Sequence, residues 1–246
     1  MNDVLVIGGA PPHPDRAFYN ALIGPGSYVV ALDSGADVCL DIGRVPDLLV
    51  GDMDSISALS LERIERSRAR VLRLPRDKDV SDLDAALGEI ESMQARSVMV
   101  TAVWGGRTDQ SLAAIGSLCG LGAAPVDLIE PGLRGWVLTM SARQHLELGG
   151  SGALVSVIAA VEPAKVTLEG FRYPLSELTL PPLSSRGMSN VIVGETAFIA
   201  LHGGSCIVLS EQDGHISPAH TVDGYRSSQE GSYNLSHEDH GGFIER

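Results

Sequence analysis

The sequence predicts an α/β protein: a parallel-sheet N-terminal domain with helices on both faces, followed by an antiparallel β-sandwich domain. Three observations carry that reading. In the first half, short apolar runs alternate with stretches of helical period, the pattern of βαβ units joined by right-handed crossovers. After Pro131-Gly132 the runs stay short, are bounded by Gly, Pro, Ser or Asn, and lose the helical period, as in antiparallel sheets. Acids also gather directly after three of the first-half runs, at the carboxyl ends of strands where open parallel sheets bind ligands.

Taken in order, Val4–Ile7 reads as a strand, followed by the loop Gly8-Gly9-Ala10-Pro11-Pro12 and a helix near Asp15–Leu22. Tyr28–Leu32 is the second strand, ending at Asp33-Ser34-Gly35 before a helix near Ala36–Ile42. Leu48–Val50 leads to Gly51-Asp52-Met53-Asp54-Ser55 and a helix at Leu59–Arg68. Val71–Leu74 leads to Asp79-Val80-Ser81-Asp82. There Ser81, with Asp84 three residues on, resembles a capping box, and Leu83, Leu87 and Ile90 form one apolar stripe. Val98–Ala102 leads to Gly105-Gly106-Arg107-Thr108-Asp109 and a helix carrying Leu112, Ile115 and Cys119 on one face. Val126–Ile129 closes the series.

In the second half, Gln144–Leu148, Leu154–Ala159, Val166–Leu168, Val191–Val193, Ala197–Leu201 and Cys206–Leu209 are the expected strands. Beyond about Ser210 the chain turns to Gly, Ser, His and acids, too polar to bury a core of its own. The expected division is therefore residues 1–133, residues 134–211 and a polar, disordered tail at 212–246, dispensable for chemistry.

Composition narrows the function. The 246 residues are 44% hydrophobic but only 4% aromatic, so Val, Ile, Leu and Ala must fill the core. A formal net charge of −13 argues against nucleic acid as a partner, since phosphate backbones call for clustered Lys and Arg. Cys39, Cys119 and Cys206 are scattered among small and apolar residues without zinc spacing, and read as buried thiols in a reducing compartment. No basic leader opens the chain and no apolar run nears the ~20 residues of a membrane helix. The expectation is a cytoplasmic protein without a membrane partner.

The acids point to a metal-and-phosphate site. In an extended segment Asp52 and Asp54 project to the same side, and two like charges so close call for a cation or a proton. Hard cations such as Mg²⁺ take oxygen ligands, commonly one or two carboxylates beside substrate phosphates. Asp79 and Asp82 flank a helix start, where they also suit the dipole, and Arg76 and Lys78 nearby suit phosphate oxygens. Gly105 and Gly106 let backbone N–H groups approach an anion, and Arg107 offers bidentate donors to phosphate. Each segment alone reads equally as a solvated turn or helix cap; their recurrence at successive strand ends favours a site. Gly8-Gly9-Ala10 is not a dinucleotide fingerprint, and no Walker sequence or nucleophile elbow occurs. His13, His145, His202 and His215 stand alone, and the metal-compatible His237-Glu238-Asp239-His240 falls in the polar tail.

In order and spacing, Asp33-Ser34-Gly35-Ala36, Pro46-Asp47, Gly51 to Ile56, Lys78-Asp79-Val80-Ser81-Asp82 and Gly105 to Gln110 resemble the thiamine pyrophosphokinase family. So do Gly170-Phe171-Arg172-Tyr173-Pro174-Leu175 and Gly187-Met188-Ser189-Asn190. The resemblance spans nearly all of residues 3–210, with Met53 where an aromatic is common, Tyr173 where tryptophan is, and Gln110 where many bacterial members have histidine. It implies an ATP- and Mg²⁺-binding catalytic domain, a thiamine-binding sandwich, and a homodimer whose active site lies between subunits. The reaction implied is transfer of the pyrophosphoryl group of ATP to the hydroxyl of thiamine, with release of AMP. Carried over by motif position, Asp52, Asp54, Asp82, Asp109 and Arg107 form the catalytic set, with Asp52, Asp54 and Asp82 holding Mg²⁺. Asp33, Lys78, Asp79, Gly106 and Gln110 complete the nucleotide side, and Tyr173, Ser189 and Asn190 the thiamine side. The general base stays open among Asp82, Asp109 and solvent. Transfer to another small heteroaromatic alcohol, or nucleotide sensing without turnover, are the competing readings.

Overall fold

A computed structural model describes residues 2–11, 16–77, 79–122 and 124–211. Lys78, His13, His215, the His237–His240 segment and the 212–246 tail thus lie outside the described residues.

The first half forms the expected βα series: β1 (Asp3–Ile7), α1 (Arg16–Leu22), β2 (Tyr28–Leu32), α2 (Gly35–Asp41), β3 (Leu48–Gly51), α3 (Ala58–Glu65), β4 (Arg70–Arg73), α4 (Asp82–Ser92), β5 (Ser97–Thr101), α5 (Thr108–Gly120) and β6 (Val126–Glu130). Strands β4-β3-β2-β1-β5-β6 lie side by side, all parallel. The chain winds outward from β1 to β4 and then returns to place β5 on the other side of β1, so the order reverses between β1 and β5. Near-continuous apolar strands follow from burial on both faces. Val4, Val6, Val30 and Val50 pack under α4 and α5, while Leu5, Ile7, Val29 and Leu49 pack under α1, α2 and α3.

The capping box at α4 is present: Asp84 N–H donates to Ser81 Oγ (3.1 Å) and Ser81 N–H to Asp84 Oδ2 (3.2 Å). Its stripe of Leu83, Leu87 and Ile90 is buried as expected. On α5 the expected face needs correction. Leu112 is exposed, and the buried side is Ser111, Ala114, Ile115, Leu118 and Cys119. Alanine and serine at the helix's near side let it lie close to the sheet, which rotates the face by one position.

Beyond Pro131 come β7 (Leu133–Thr139), β8 (His145–Gly149), β9 (Leu154–Ala159), β10 (Ala164–Glu169), β11 (Leu175–Leu180), β12 (Asn190–Val191), β13 (Thr196–Gly203) and β14 (Ser205–Glu211). Two of these carry no clear signal in the sequence. Strand β7 is interrupted by Arg134 and Gly135, and β11 is an edge strand of mixed exposure. The second half does form a sandwich, with β11-β10-β13-β8 as one sheet. Its other layer is β12-β9-β14-β7, which continues the parallel sheet through the antiparallel β6–β7 pair into ten strands. Pro131-Gly132, with Gly132 at φ 75°, is the tight turn of that hairpin. Leu138, Val157 and Val208 from one layer meet Val166, Leu168 and Ile199 from the other in the sandwich core. The three cysteines are buried, and burial pushes each thiol up to about 12, which keeps them unreactive.

Candidate active site

The carboxyl ends of β1, β2, β3 and β5 come together over close backbone approaches. Gly8 N–H donates to Thr101 O (2.9 Å) and Ala10 N–H to Ala102 O (2.8 Å), joining the β1 and β5 loops. At Gly35 a Cβ would lie 2.2 Å from Ile7 O and 2.6 Å from Gly8 O, so only glycine lets α2 start there. Asp33 follows β2 at φ 44° and donates its N–H to Val50 O (2.9 Å), fixing it against the end of β3.

Three acids meet at this edge. One carboxylate oxygen each from Asp33, Asp52 and Asp54 lies within 4.8 Å of the others. The pair Asp52 and Asp54 converges by a turn and not by the extended geometry expected from the sequence. Met53 sits at φ 64°, and Asp54 N–H donates to Asp52 Oδ1 (3.1 Å). Repulsion from Asp52, with desolvation and Asp33 adding less, holds the Asp54 carboxyl above its ordinary range. Asp33 is buried, and its Oδ1 makes no hydrogen bond in the described structure. A buried carboxylate oxygen without a donor, beside two further carboxylates, fits a hard cation with oxygen ligands. Mg²⁺ suits this donor set, to which Asp33, Asp52 and Asp54 could each offer one oxygen.

The other expected residues lie on the segments that follow β4 and β5. Asp82 is the first residue of α4 and lies outside the three-acid group; Asp79 is exposed just before it. Arg107 and Asp109 are paired with each other, Nη2 to Oδ2 at 2.5 Å and Nε to Oδ1 at 3.1 Å, and both are well exposed. The guanidinium holds the Asp109 carboxyl below its usual range. Gln110 is exposed on the first turn of α5, its N–H donating to Asp109 Oδ1 (3.0 Å). Gly106, at φ 65°, abuts Pro11, where a Cβ would come within 3.0 Å of Cδ.

The sandwich residues form a second group. Tyr173 is 63% exposed. Asn190 is buried, and its amide is committed to the backbone: Nδ2 donates to Tyr173 O (2.7 Å), while Oδ1 accepts from Tyr173 N–H (3.0 Å) and Val191 N–H (3.0 Å). Ser189, exposed at φ 55°, donates its N–H to Ser156 Oγ (3.0 Å). Asn190 thus presents Tyr173 and does not itself face outward.

Sequence reasoning missed Glu130. It ends β6, is buried, and accepts from three successive N–H groups of the loop after β5. A lone acid at the end of an apolar run, followed by Pro-Gly, looks like any strand terminus.

The fold and site define a class: a doubly wound α/β protein with a carboxylate cluster and a Gly-Gly-Arg loop at the strand ends, joined to a β-sandwich. Comparison with known proteins agrees. The profile "Thiamin pyrophosphokinase, catalytic domain" matches residues 19–127, and "Thiamin pyrophosphokinase, vitamin B1 binding domain" matches residues 143–205. The thiamine pyrophosphokinase of Bacillus subtilis is 24% identical over 228 residues, covering 87% of this chain and all of that one. Its crystal structure superposes with a TM-score of 0.72 over 86% of this chain and 100% of that chain. The thiamin pyrophosphokinase of Geobacillus thermodenitrificans gives 0.70 at 23% identity over 86% and 98% of the two chains. That of Candida albicans gives 0.66 at 17% over 86% and 90%. The two matched profiles together span most of the chain, and it belongs to the thiamine pyrophosphokinase family.

Proposed function

We propose that the protein is a thiamine diphosphokinase, which transfers the pyrophosphoryl group of ATP to the hydroxyl of thiamine and releases AMP. The observation that carries this reading is the Asp33–Asp52–Asp54 cluster, with its undonated buried oxygen, at the strand ends of a chain that carries both domains of the family. In the transfer, the thiamine hydroxyl oxygen forms a bond to the β-phosphorus of ATP. The bond from that phosphorus to the oxygen bridging it to the α-phosphate breaks, AMP leaves with that oxygen, and the hydroxyl proton passes to solvent or a nearby carboxylate. Such reactions depend on in-line positioning and on neutralising charge more than on covalent help. A Mg²⁺ ion held by Asp33, Asp52 and Asp54 would supply Lewis-acid polarisation and charge neutralisation. Arg107, released from Asp109, would take phosphate oxygens in bidentate fashion, and Asp79, Asp82, Asp109, Gly106 and Gln110, on the segments after β4 and β5, would complete the nucleotide side. Lys78 belongs to this set by its place in the sequence.

Residues 1–133 in this reading bind Mg²⁺–ATP and 134–211 bind thiamine, with exposed Tyr173 and Ser189 contacting the cation. Sheet order supports a shared site. From β12, next to Ser189, to β2, next to Asp33, there are seven strand-to-strand steps, roughly 34 Å at the usual strand spacing. One chain does not bring the two groups together along that path, whereas a homodimer with two-fold symmetry makes two equivalent sites from both.

The test is direct. Protein mixed with Mg²⁺, ATP and thiamine yields AMP and thiamine diphosphate in equal amounts, and EDTA stops it. AMP formed only with another heteroaromatic alcohol would redirect the acceptor, and nucleotide binding without AMP would point to sensing.

A further inference from the structure

The site described above uses the exposed end of the β5–α5 loop, Gly106 to Gln110. The buried beginning of that loop has a different arrangement. Ala102 leaves the sheet at φ 54°, and beyond it β5 has no strand partner for its N–H groups. Three of them turn instead to one side chain. Ala102 N–H donates to Glu130 Oε2 (3.0 Å), and Val103 and Trp104 N–H donate to Oε1 (2.9 and 3.0 Å). The next, Gly105 N–H, donates to Ser111 Oγ (3.0 Å), whose own hydroxyl donates to Arg107 O (3.2 Å). Glu130 and Ser111 are both buried, whereas Gly106 and Arg107 are exposed. Four successive N–H groups are therefore taken internally just before the two residues that face outward.

Successive N–H groups converging in this way form a nest that binds anions. Here the chain supplies the anion itself. Three of the roughly four acceptor positions of a carboxylate are filled, so Glu130 is not placed to ligate a cation or to carry the substrate's proton. Burial pushes its carboxyl up, opposed by those three N–H groups. The nearby Tyr19 hydroxyl, which burial drives to about 12 with help from Glu130, stays neutral.

We infer that Glu130 is a positioning residue for the nucleotide. By filling the nest at Ala102–Trp104 with an internal carboxylate, it denies that nest to the polyphosphate and holds the loop so that Gly106 and Arg107 are the groups a phosphate meets. Ser111 extends the same brace by one residue. The inference rests on the proposed ATP-dependent function, and its consequences fall on the nucleotide side of the site and not on the thiamine side.

Glu130→Gln keeps shape but replaces one oxygen with an amide that donates, so at least one loop N–H loses its acceptor. The ATP KM should rise about tenfold, from the loss of one hydrogen bond to a charged group, with the thiamine KM unchanged. Calorimetric titration with Mg²⁺ and α,β-methylene-ATP should show the same weakening without turnover. Amide exchange at 102–105 should quicken while β1 and β2 stay protected. Ser111→Ala, a milder change, should raise the ATP KM about threefold and decides the matter if Glu130→Gln fails to fold. Unchanged nucleotide affinity in the folded variant, or an equal loss for both substrates, overturns the positioning role while leaving the proposed function intact. A wild-type protein that binds no Mg²⁺–nucleotide overturns the proposed function, and this inference with it.

Discussion

At the scale of single residues, the acid cluster makes opposing demands on folding and on function. Asp54 carries a raised pKa because Asp52 repels its charge. An acid whose pKa rises on folding takes up its proton more readily in the folded chain. Its stabilising contribution is complete below the unfolded value of 3.8 and is lost as pH rises through the folded pKa. Asp54→Asn removes that repulsion. In EDTA the variant should therefore melt slightly above wild type at pH 7, with the gap closing as pH falls through the carboxylate range. The same substitution should lower turnover by ~10²-fold or more, the scale of losing one electrostatic stabiliser. Scanning calorimetry across pH and an AMP-release assay check the two halves; near-normal turnover would remove Asp54 from the metal set.

Among elements, the short β12 strand carries more than its two residues suggest. Asn190 lies at its start and fastens Tyr173 through two hydrogen bonds to that residue's backbone, while a third ties it to Val191 N–H. Alanine at 190 leaves the part-buried N–H and C=O groups of Tyr173 without these partners. A loss of about 2–3 kcal/mol is expected, given the usual cost of such orphans, and urea denaturation measures it. Because Tyr173 is released too, the thiamine KM of Asn190→Ala should rise with the ATP KM little changed. A variant that is destabilised but unaltered in both KM values would mean that Tyr173 needs no such support.

On the scale of the whole molecule, the seven strand-to-strand steps between β12 and β2 are what motivate the proposed shared site. Tyr173→Ala should raise the thiamine KM roughly 2- to 30-fold, if the ring stacks on the thiamine cation with ~0.5–2 kcal/mol. Equal mixing with Asp54→Asn, followed by subunit exchange, places both intact residues in one site of each heterodimer. About a quarter of all sites are then restored, assayed at low thiamine. No recovery after confirmed exchange would mean that each site is built by one chain.

Local pattern alone determined much of this protein. The βα series, the α4 capping box, the sandwich and the acids at strand ends are all visible in the sequence, because each depends on periodicity or spacing within a few residues. The change of pattern at Pro131-Gly132 is visible too, though the tight turn there joins two strands of one sheet and does not interrupt it. Tertiary structure decided what depends on partners distant in sequence. Asp33 joins Asp52 and Asp54 only because β2 and β3 are neighbours. The buried face of α5 depends on how closely the helix lies on the sheet. Asn190 meets Tyr173, and Glu130 meets the loop after β5, across 17 and up to 28 residues. A side chain's hydrogen-bond partner is set by which strands lie adjacent, and adjacency is settled by the burial of the whole sheet and not by the residues beside it in sequence.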